Sequence, residues 1–336
     1  MGVPAGAQPD LASARAQAKV LATQVAALET RTEVATENFN TINDQLQTVV
    51  TQMTEAEQQV DAAKAGAIAE DNVAQGRVRA LYMSGGSIAL YASVLDSGSI
   101  GDVLSRVDRV NSLVDNDRVE AAQSWSTVSK AEKARKKLGA LAAKRTKLQD
   151  QADAARSTVE VLLTQRTKQL TAANATVRRL ADEYAARKTR QAAESARVRL
   201  MDLGVLGDQA AGNPYATAAI AAARSKVGSP YVWGATGPGT FDCSGLTQWA
   251  YAQAGLSIDR TSRQQWFNGV AVPLSDLRPG DLIFWAYNLS QPGSIHHVAM
   301  YLGAGRMIEA PRTGLDVREV PVYLDGFIGA VRPGTS

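Results

Sequence analysis

Apolar residues recur through the first part of the chain with alternating gaps of three and four. The series runs Leu11, Ala14, Ala18, Leu21, Val25, Leu28, Ala35, Phe39, Ile42, Leu46, Val49, Met53, Ala56, Val60 and Ala63, and only Thr32 breaks it. Glu, Gln, Thr and Asn fill the other positions, so the pattern predicts the seam of a coiled-coil helix. At ~1.5 Å per residue that helix would reach roughly 100 Å.

A second seam begins at Leu138 and continues through Leu141, Leu148, Ala152, Ala155, Val159 and Leu162, with Arg145 as a polar intruder. It resumes after a skip as Leu170, Ala173, Val177, Leu180 and Tyr184. Such a skip is a stutter, which locally unwinds a supercoil. Two long helices in one chain pack most simply as an antiparallel hairpin, although an intermolecular coil satisfies the same pattern. Between the seams, residues 81–113 carry the helix breakers Gly85 and Gly86 together with Ile88, Leu90, Tyr91, Val94 and Leu95. That mixture is too apolar for a solvent loop and reads as a small helical cap on the hairpin's end, a docking tip for a partner, or both.

The seam fades near residue 190. MDLGVLGDQAAGNP, residues 201–214, mixes glycines with a closing Pro214 and is expected to be a linker. The remaining tail has Gly-Pro punctuation, alternating strand-like runs and four of the five tryptophans. The expected division is an N-terminal tail over 1–10, an all-α coiled-coil domain over 11–200, the linker, and an α+β domain over 215–336.

Charge changes this picture little. Lys and Arg number 36 against 33 Asp and Glu, too balanced a count to announce nucleic acid. The exception is KAEKARKKLGALAAKRTK, residues 130–147, where eight basic residues accompany one acid; it reads as a solvated helix face or as a patch for an anionic surface. No run of ~18 apolar residues is present to span a bilayer. The opening MGVPAGAQPD has no basic or apolar leader segment and reads as the start of a mature secreted protein, destined for the cell envelope, whose signal is not in this chain.

The candidate chemistry lies in the tail. Cys243, the single cysteine, stands in GTFDCSGLTQWAY ahead of Leu246, Trp249, Ala250 and Ala254, which share one helix face. Asp242 is the natural N-cap. Cys243 then falls in the first helical turn, where the dipole and free N–H groups are expected to lower its pKa. A thiol nucleophile needs a base, and the two histidines, His296 and His297, are adjacent at the start of the strand-like run HVAMYLG. With Gly303-Ala304-Gly305 as a hairpin loop, Leu302 pairs with Arg306 and Ala299 lies opposite Glu309. His297 is then one diagonal step from Glu309 on the same face, and a register slip of one residue would turn Glu309 away. The expected set is Cys243 as nucleophile, His297 as base and Glu309 as its orienter. One cysteine and two adjacent histidines do not supply a zinc site, and GATGPG and GAGR lack a phosphate-loop lysine.

These residues carry a resemblance. GSPYVWGATGPGTFDCSGLTQWAYAQAGLSIDRTSRQQW, LRPGDLIFW and HVAMYLGAGRMIEAP resemble the opening, middle and closing signatures of the NlpC family of papain-like cell-wall peptidases, over residues 215–332. The resemblance implies a papain-like fold, no cofactor, and hydrolysis of peptidoglycan stem peptides between D-glutamate and diaminopimelate or its equivalent. It also implies Cys243, His297 and Glu309 as the catalytic positions. The commonest family form carries histidine at the third; glutamate is similar to the actinobacterial Rip-type wall hydrolases. Tyr231 matches a tyrosine lining the family's site, Asp242 and Ser244 match positions that help hold the peptide, and Arg260, Thr261 and Ser262 match its RTS stretch, which reads equally as a structural turn. His296 is grouped with these substrate-binding positions.

RVRALYMSGGSIALYASVLDSGSIGDVLSRVDRV is similar to the coiled-coil region of PcsB-like division hydrolases, which implies engagement of the extracellular part of an FtsX-type membrane protein. A wall peptidase joined to a long lever is expected to be restrained by it until a partner rearranges it. Two other readings stay open: a wall-binding adaptor of the division machinery without activity, and an amidase or acyltransferase acting on another amide.

Overall fold

The computed structural model describes residues 11–83, 92, 99–207 and 209–335. Three helices open the chain: α1 (Leu11–Met83), α2 (Ile100–Ala172) and α3 (Ala175–Asp202). The chain forms two compact units, one of residues 45–149 and one joining residues 1–44 to 150–336.

In the first of these units, Val49, Ala56, Val60 and Ala63 of α1 and Ala134, Leu141 and Leu148 of α2 are buried, each a seam position or a neighbour of one. Thr127 donates to Glu70 at 3.0 Å, and Arg77 pairs with Asp117 and Glu120. Rising numbers on one helix meet falling numbers on the other, so the two run antiparallel. The expected tip lies partly outside the described residues, which omit 84–91 and 93–98, and so does the tail over 1–10. From Ile100 the chain is already α2, which runs straight through residue 113. The basic residues of 130–147 are exposed on α2.

In the second unit the seam continues. Ala14, Ala18 and Leu21 pack with Val177 and Ala181, and Leu28 and Ala35 pack with Val159 and Leu162. Thr32 does not interrupt the helix, because its hydroxyl donates to the Leu28 carbonyl at 2.8 Å. The expected stutter is resolved differently: the helix stops after Ala172, and Asn174 caps a new one by accepting from the Val177 N–H at 2.9 Å. The asparagine side chain supplies an acceptor that the broken turn would otherwise lack.

The tail adds α4 (Ala216–Arg224), α5 (Cys243–Gln253), α6 (Ser262–Gln265) and strands β1 (Gly269–Val272), β2 (Leu282–Ala286), β3 (Ile295–Gly303), β4 (Arg306–Glu309), β5 (Arg318–Pro321) and β6 (Phe327–Pro333). The strands form one sheet in the order β1-β6-β2-β3-β4-β5, with antiparallel neighbours throughout. All five residues of β2 are buried, as a strand covered on both faces requires. Leu282, Phe284, Val298, Met300 and Ile308 pack under Leu246, Ala250 and Tyr251 of α5. Ile283, Trp285, Ala299, Tyr301 and Met307 line the other face.

That second face corrects the linker expectation. Leu200 at the end of α3 and Val205 beyond it are fully buried among those sheet residues, with Leu203 and Leu206 packed beside them. Asn213 is buried too, donating to the Tyr251 hydroxyl at 3.2 Å. Four apolar side chains within seven positions gain more from the sheet than from water, so the connector is packed rather than free.

Candidate active site

Asp242 starts α5. Its Oδ1 accepts from the Gly245 N–H at 2.7 Å, and its Oδ2 accepts from the Gly234 N–H at 2.9 Å. This cap places Cys243 at the first helical residue, as the sequence predicts. The helix can sit so close only because residue 245 is glycine: a Cβ there would lie 2.1 Å from the Ala235 carbonyl oxygen.

His297 lies on β3 and Glu309 at the end of β4. The loop between the strands is tighter than expected. Gly303 rather than Leu302 pairs with Arg306, around Ala304 and Gly305, which hold φ of 50° and 72°. Positive φ at both central residues is what a two-residue hairpin turn demands. A bulge between Tyr301 and Gly303 absorbs the difference, and Met300 faces Ile308 as in the expected register. Glu309 therefore keeps its face, and its Oε2 meets His297 Nε2 at 3.0 Å.

His297 Nδ1, the other ring nitrogen, is buried and makes no hydrogen bond. Burial disfavours the imidazolium, but the bond and charge of Glu309, with the charge of Glu33, outweigh it and raise the pKa of His297. Burial likewise pushes the Glu309 carboxyl up, yet His297 and Arg318 outweigh it and hold it down at about 2. Glu309 is thereby held as a carboxylate, and its charge makes the His297 imidazole a stronger base.

The thiol differs from the sequence expectation. Burial first, then the charges of Asp242, Glu37 and Glu33, raise Cys243 well above the ordinary thiol range, against a hydrogen bond from the Val298 N–H. The favourable helix start is outweighed because three carboxylates and little solvent surround it, and Cys243 is only 6% exposed. The Val298 contact places the sulfur beside the residue that follows His297.

Two of those carboxylates come from α1. Glu37, buried, accepts from the Ser262 hydroxyl at 2.8 Å and from the Arg263 N–H at 3.2 Å. Glu33 lies 3.5 Å from His296 Nε2, and burial lifts its pKa to about 7 against the pull of His297 and Arg312. His296 is pushed down to about 4 by burial and by the charge of His297. Asn40 donates to Asp242 Oδ2 at 2.9 Å, and Phe39 packs edge-on against Trp233 with ring centroids 4.8 Å apart. Residues 29–44 of α1 therefore cover the side of the sheet domain that carries Cys243.

The remaining expected substrate-binding residues gather there. Arg260 pairs with Asp242 and donates from Nη1 to the Ser244 hydroxyl at 2.9 Å. Ser244 and Ser262 are fully buried, and Thr261 caps α6 through a capping box with Gln264. Tyr231 is buried, and burial with the nearby Cys243 and Asp242 holds its hydroxyl protonated. Sequence reading missed Glu33, Glu37 and Asn40 on α1, and Arg318 and Tyr323 beyond Glu309. Nothing local marks the first three: Glu33, Glu37 and Asn40 lie off the seam and read in the sequence as the solvent face of a coiled coil.

The model of the NlpC/P60 family matches residues 228–328, and that of the coiled-coil domain of the peptidoglycan hydrolase PcsB matches residues 67–123. A probable endopeptidase of Corynebacterium glutamicum is 41% identical over 154 residues, covering 45% of this chain and 69% of that protein. A gamma-D-glutamyl-L-lysine dipeptidyl-peptidase of Bacillus cereus is 46% identical over 102 residues, 30% of each chain. Among solved structures, the peptidoglycan hydrolase RipB of Mycobacterium tuberculosis is 32% identical with a TM-score of 0.32, covering 44% of this chain and 84% of that one. This chain spans about half or less of the length of several of its curated relatives.

Proposed function

We propose that this chain, which belongs to the NlpC/P60 family of cysteine peptidases, is a peptidoglycan endopeptidase of the cell envelope that cuts stem peptides at a D-glutamyl bond to diaminopimelate or its equivalent. The observation that carries the reading is the imidazole of His297, anchored through Nε2 to a buried carboxylate with Nδ1 unbonded, on the strand whose next residue, Val298, bonds the Cys243 sulfur through its N–H. Nδ1 takes the thiol proton, and Sγ bonds to the glutamyl carbonyl carbon while backbone N–H groups hold the oxyanion. The C–N bond then breaks as the same proton passes from Nδ1 to the leaving amine. Water, activated by Nδ1, releases the acyl group from sulfur. Glu309 stays ionised throughout and steadies the imidazolium. The bond named in the Bacillus cereus relative supports the choice of a D-glutamyl linkage.

The same reading makes α1 a restraint during division or wall remodelling. Residues Glu33, Glu37 and Asn40 fill the polar positions around Cys243, where a stem peptide would lie. Release is assigned to a membrane partner of the FtsX type acting on the region 81–113. Mass spectrometry of muropeptides incubated with the full chain and with its Cys243→Ala variant tests the reaction. New termini at the D-glutamyl bond in the first digest alone support it; binding without cleavage by either chain leaves the adaptor reading in its place.

A further inference from the structure

Glu309 is held by more than His297. Its Oε1 accepts from Nε and Nη2 of Arg318, at 3.0 and 2.8 Å. Its Oε2 accepts from the Tyr323 hydroxyl at 3.0 Å, beside the 3.0 Å contact with His297 Nε2. We propose that Arg318 and Tyr323 are positioning residues of this site, fixing the Glu309 carboxylate so that Oε2 faces His297. The inference rests on the Cys243, His297 and Glu309 reading.

The need for such partners is physical. A carboxylate with 1% exposure has two oxygens to satisfy and a desolvation cost to offset. A guanidinium suits this place because its Nε–H and Nη2–H converge on the one oxygen, Oε1, leaving Oε2 for His297 and Tyr323. Its place is set by the sheet, because β5 pairs with β4 in the register that puts Arg318 directly opposite Glu309. Tyr323 is fixed by a different contact: its ring lies 4.8 Å from that of Trp285, whose indole N–H donates to the Tyr323 carbonyl at 3.2 Å. Trp285 in turn lies 5.4 Å from the His297 ring. Glutamate, histidine and both supports are thus locked by one indole and one strand pairing.

The arrangement has an electrostatic consequence. Acting on His297 are Glu309 from β4, Arg318 from β5 and Glu33 from α1, with His296 beside it on β3; Tyr323 reaches it through Glu309 and Arg312 through Glu33. Among these Arg318 opposes the imidazolium while Glu309 and Glu33 favour it. Arg318 therefore has two effects: it keeps the carboxylate ionised and limits how basic the imidazole becomes.

The two histidines make the test direct. Nitrogen-15 NMR of the imidazoles in the full chain, assigned with His296→Gln, reads the titration of His297 whether or not the enzyme is turning over. Glu309→Gln is expected to lower that titration by about one pH unit or more. Arg318→Met and Tyr323→Phe are expected to raise it by about half a unit, and Arg318→Lys to return it towards wild type. If Glu309→Gln moves His297 while Arg318→Met and Tyr323→Phe leave it within about 0.2 units, the positioning role is wrong and the triad stands. If Glu309→Gln also leaves it unmoved, the triad reading itself fails. Tyr323→Phe, which removes a single oxygen, keeps the test valid should Arg318→Met unfold.

Discussion

Asn40 of α1 donates its amide hydrogen to Oδ2 of Asp242 at 2.9 Å, and Asp242 is the cap of the helix that begins with Cys243. A residue 202 positions upstream is thereby tied to the first turn of the candidate nucleophile's helix. The tie is intramolecular, and it gives the proposed restraint a place where it can be broken.

Loosening α1 is expected to expose the thiol. A hydrogen bond to a charged group contributes about 1.5–3 kcal/mol, so Asn40→Ala should raise the open population about tenfold or more. Because Cys243 is the single cysteine, the rate of one-site alkylation by iodoacetamide reports it without ambiguity. An unchanged rate in Asn40→Ala combined with Glu37→Ala would mean that α1 does not guard the sulfur.

The restraint should also depend on pH through Glu33. Its carboxyl is raised from 4.5 to about 7 while α1 is docked, so the docked state binds the proton more tightly than the undocked one. The contribution is complete below pH 4.5 and is lost as pH rises through about 7. Hydrogen exchange over residues 29–44, corrected for its intrinsic pH dependence, is expected to show weaker protection at pH 8 than at pH 5.5. Glu33→Gln should reduce that difference; Glu37, whose carboxyl burial also raises, adds to it with the same sign, and His296, pushed down to about 4, opposes it.

Replacing Glu309 by Gln should leave the fold recognisable but disable the chemistry. An amide can still accept from the Nε2–H of His297, yet it does not steady the imidazolium. The expected loss in kcat is about 10²-fold to 10⁴-fold. Steady-state kinetics on a defined muropeptide checks this, and retention of wild-type kcat would remove Glu309 from the mechanism.

Gly245 is expected to be irreplaceable for structural reasons. Even an alanine Cβ would meet the Ala235 carbonyl oxygen at 2.1 Å, which is backbone and has nowhere to go. Overpacking of this kind costs about 1–3 kcal/mol or more. Thermal unfolding of Gly245→Ala should show a lower Tm, together with reduced thiol reactivity even when α1 has been loosened.

The helices and the motif were plain in the sequence because each depends on local periodicity. The three-four alternation gave the seam, and Asp242 before an amphipathic run gave the helix start at Cys243. The pairing of His297 with Glu309 was also legible, since the hairpin's two-residue turn and its bulge offset each other and preserve the face. What was not legible depends on distant packing. Thr36, Glu37 and Asn40 look like the solvent face of a coiled coil until a sheet domain is laid against them. Leu203, Val205 and Leu206 look like a glycine-rich linker until the second face of the sheet needs covering. The thiol's raised pKa follows from the same packing, which brings Glu33 and Glu37 to a helix start that local reasoning treats as favourable to an anion. Arg318 escaped notice because a lone strand arginine gains meaning only from the register that sets it opposite Glu309.

The most direct measurement compares muropeptide hydrolysis by the full chain, by the chain with Glu37→Ala and Asn40→Ala, and by that double variant also carrying Cys243→Ala. Slow cleavage by the first, cleavage about tenfold faster or more by the second, and none by the third is the expected result. Equal rates in the first two would contradict restraint by α1, and cleavage by the third would contradict Cys243 as the nucleophile.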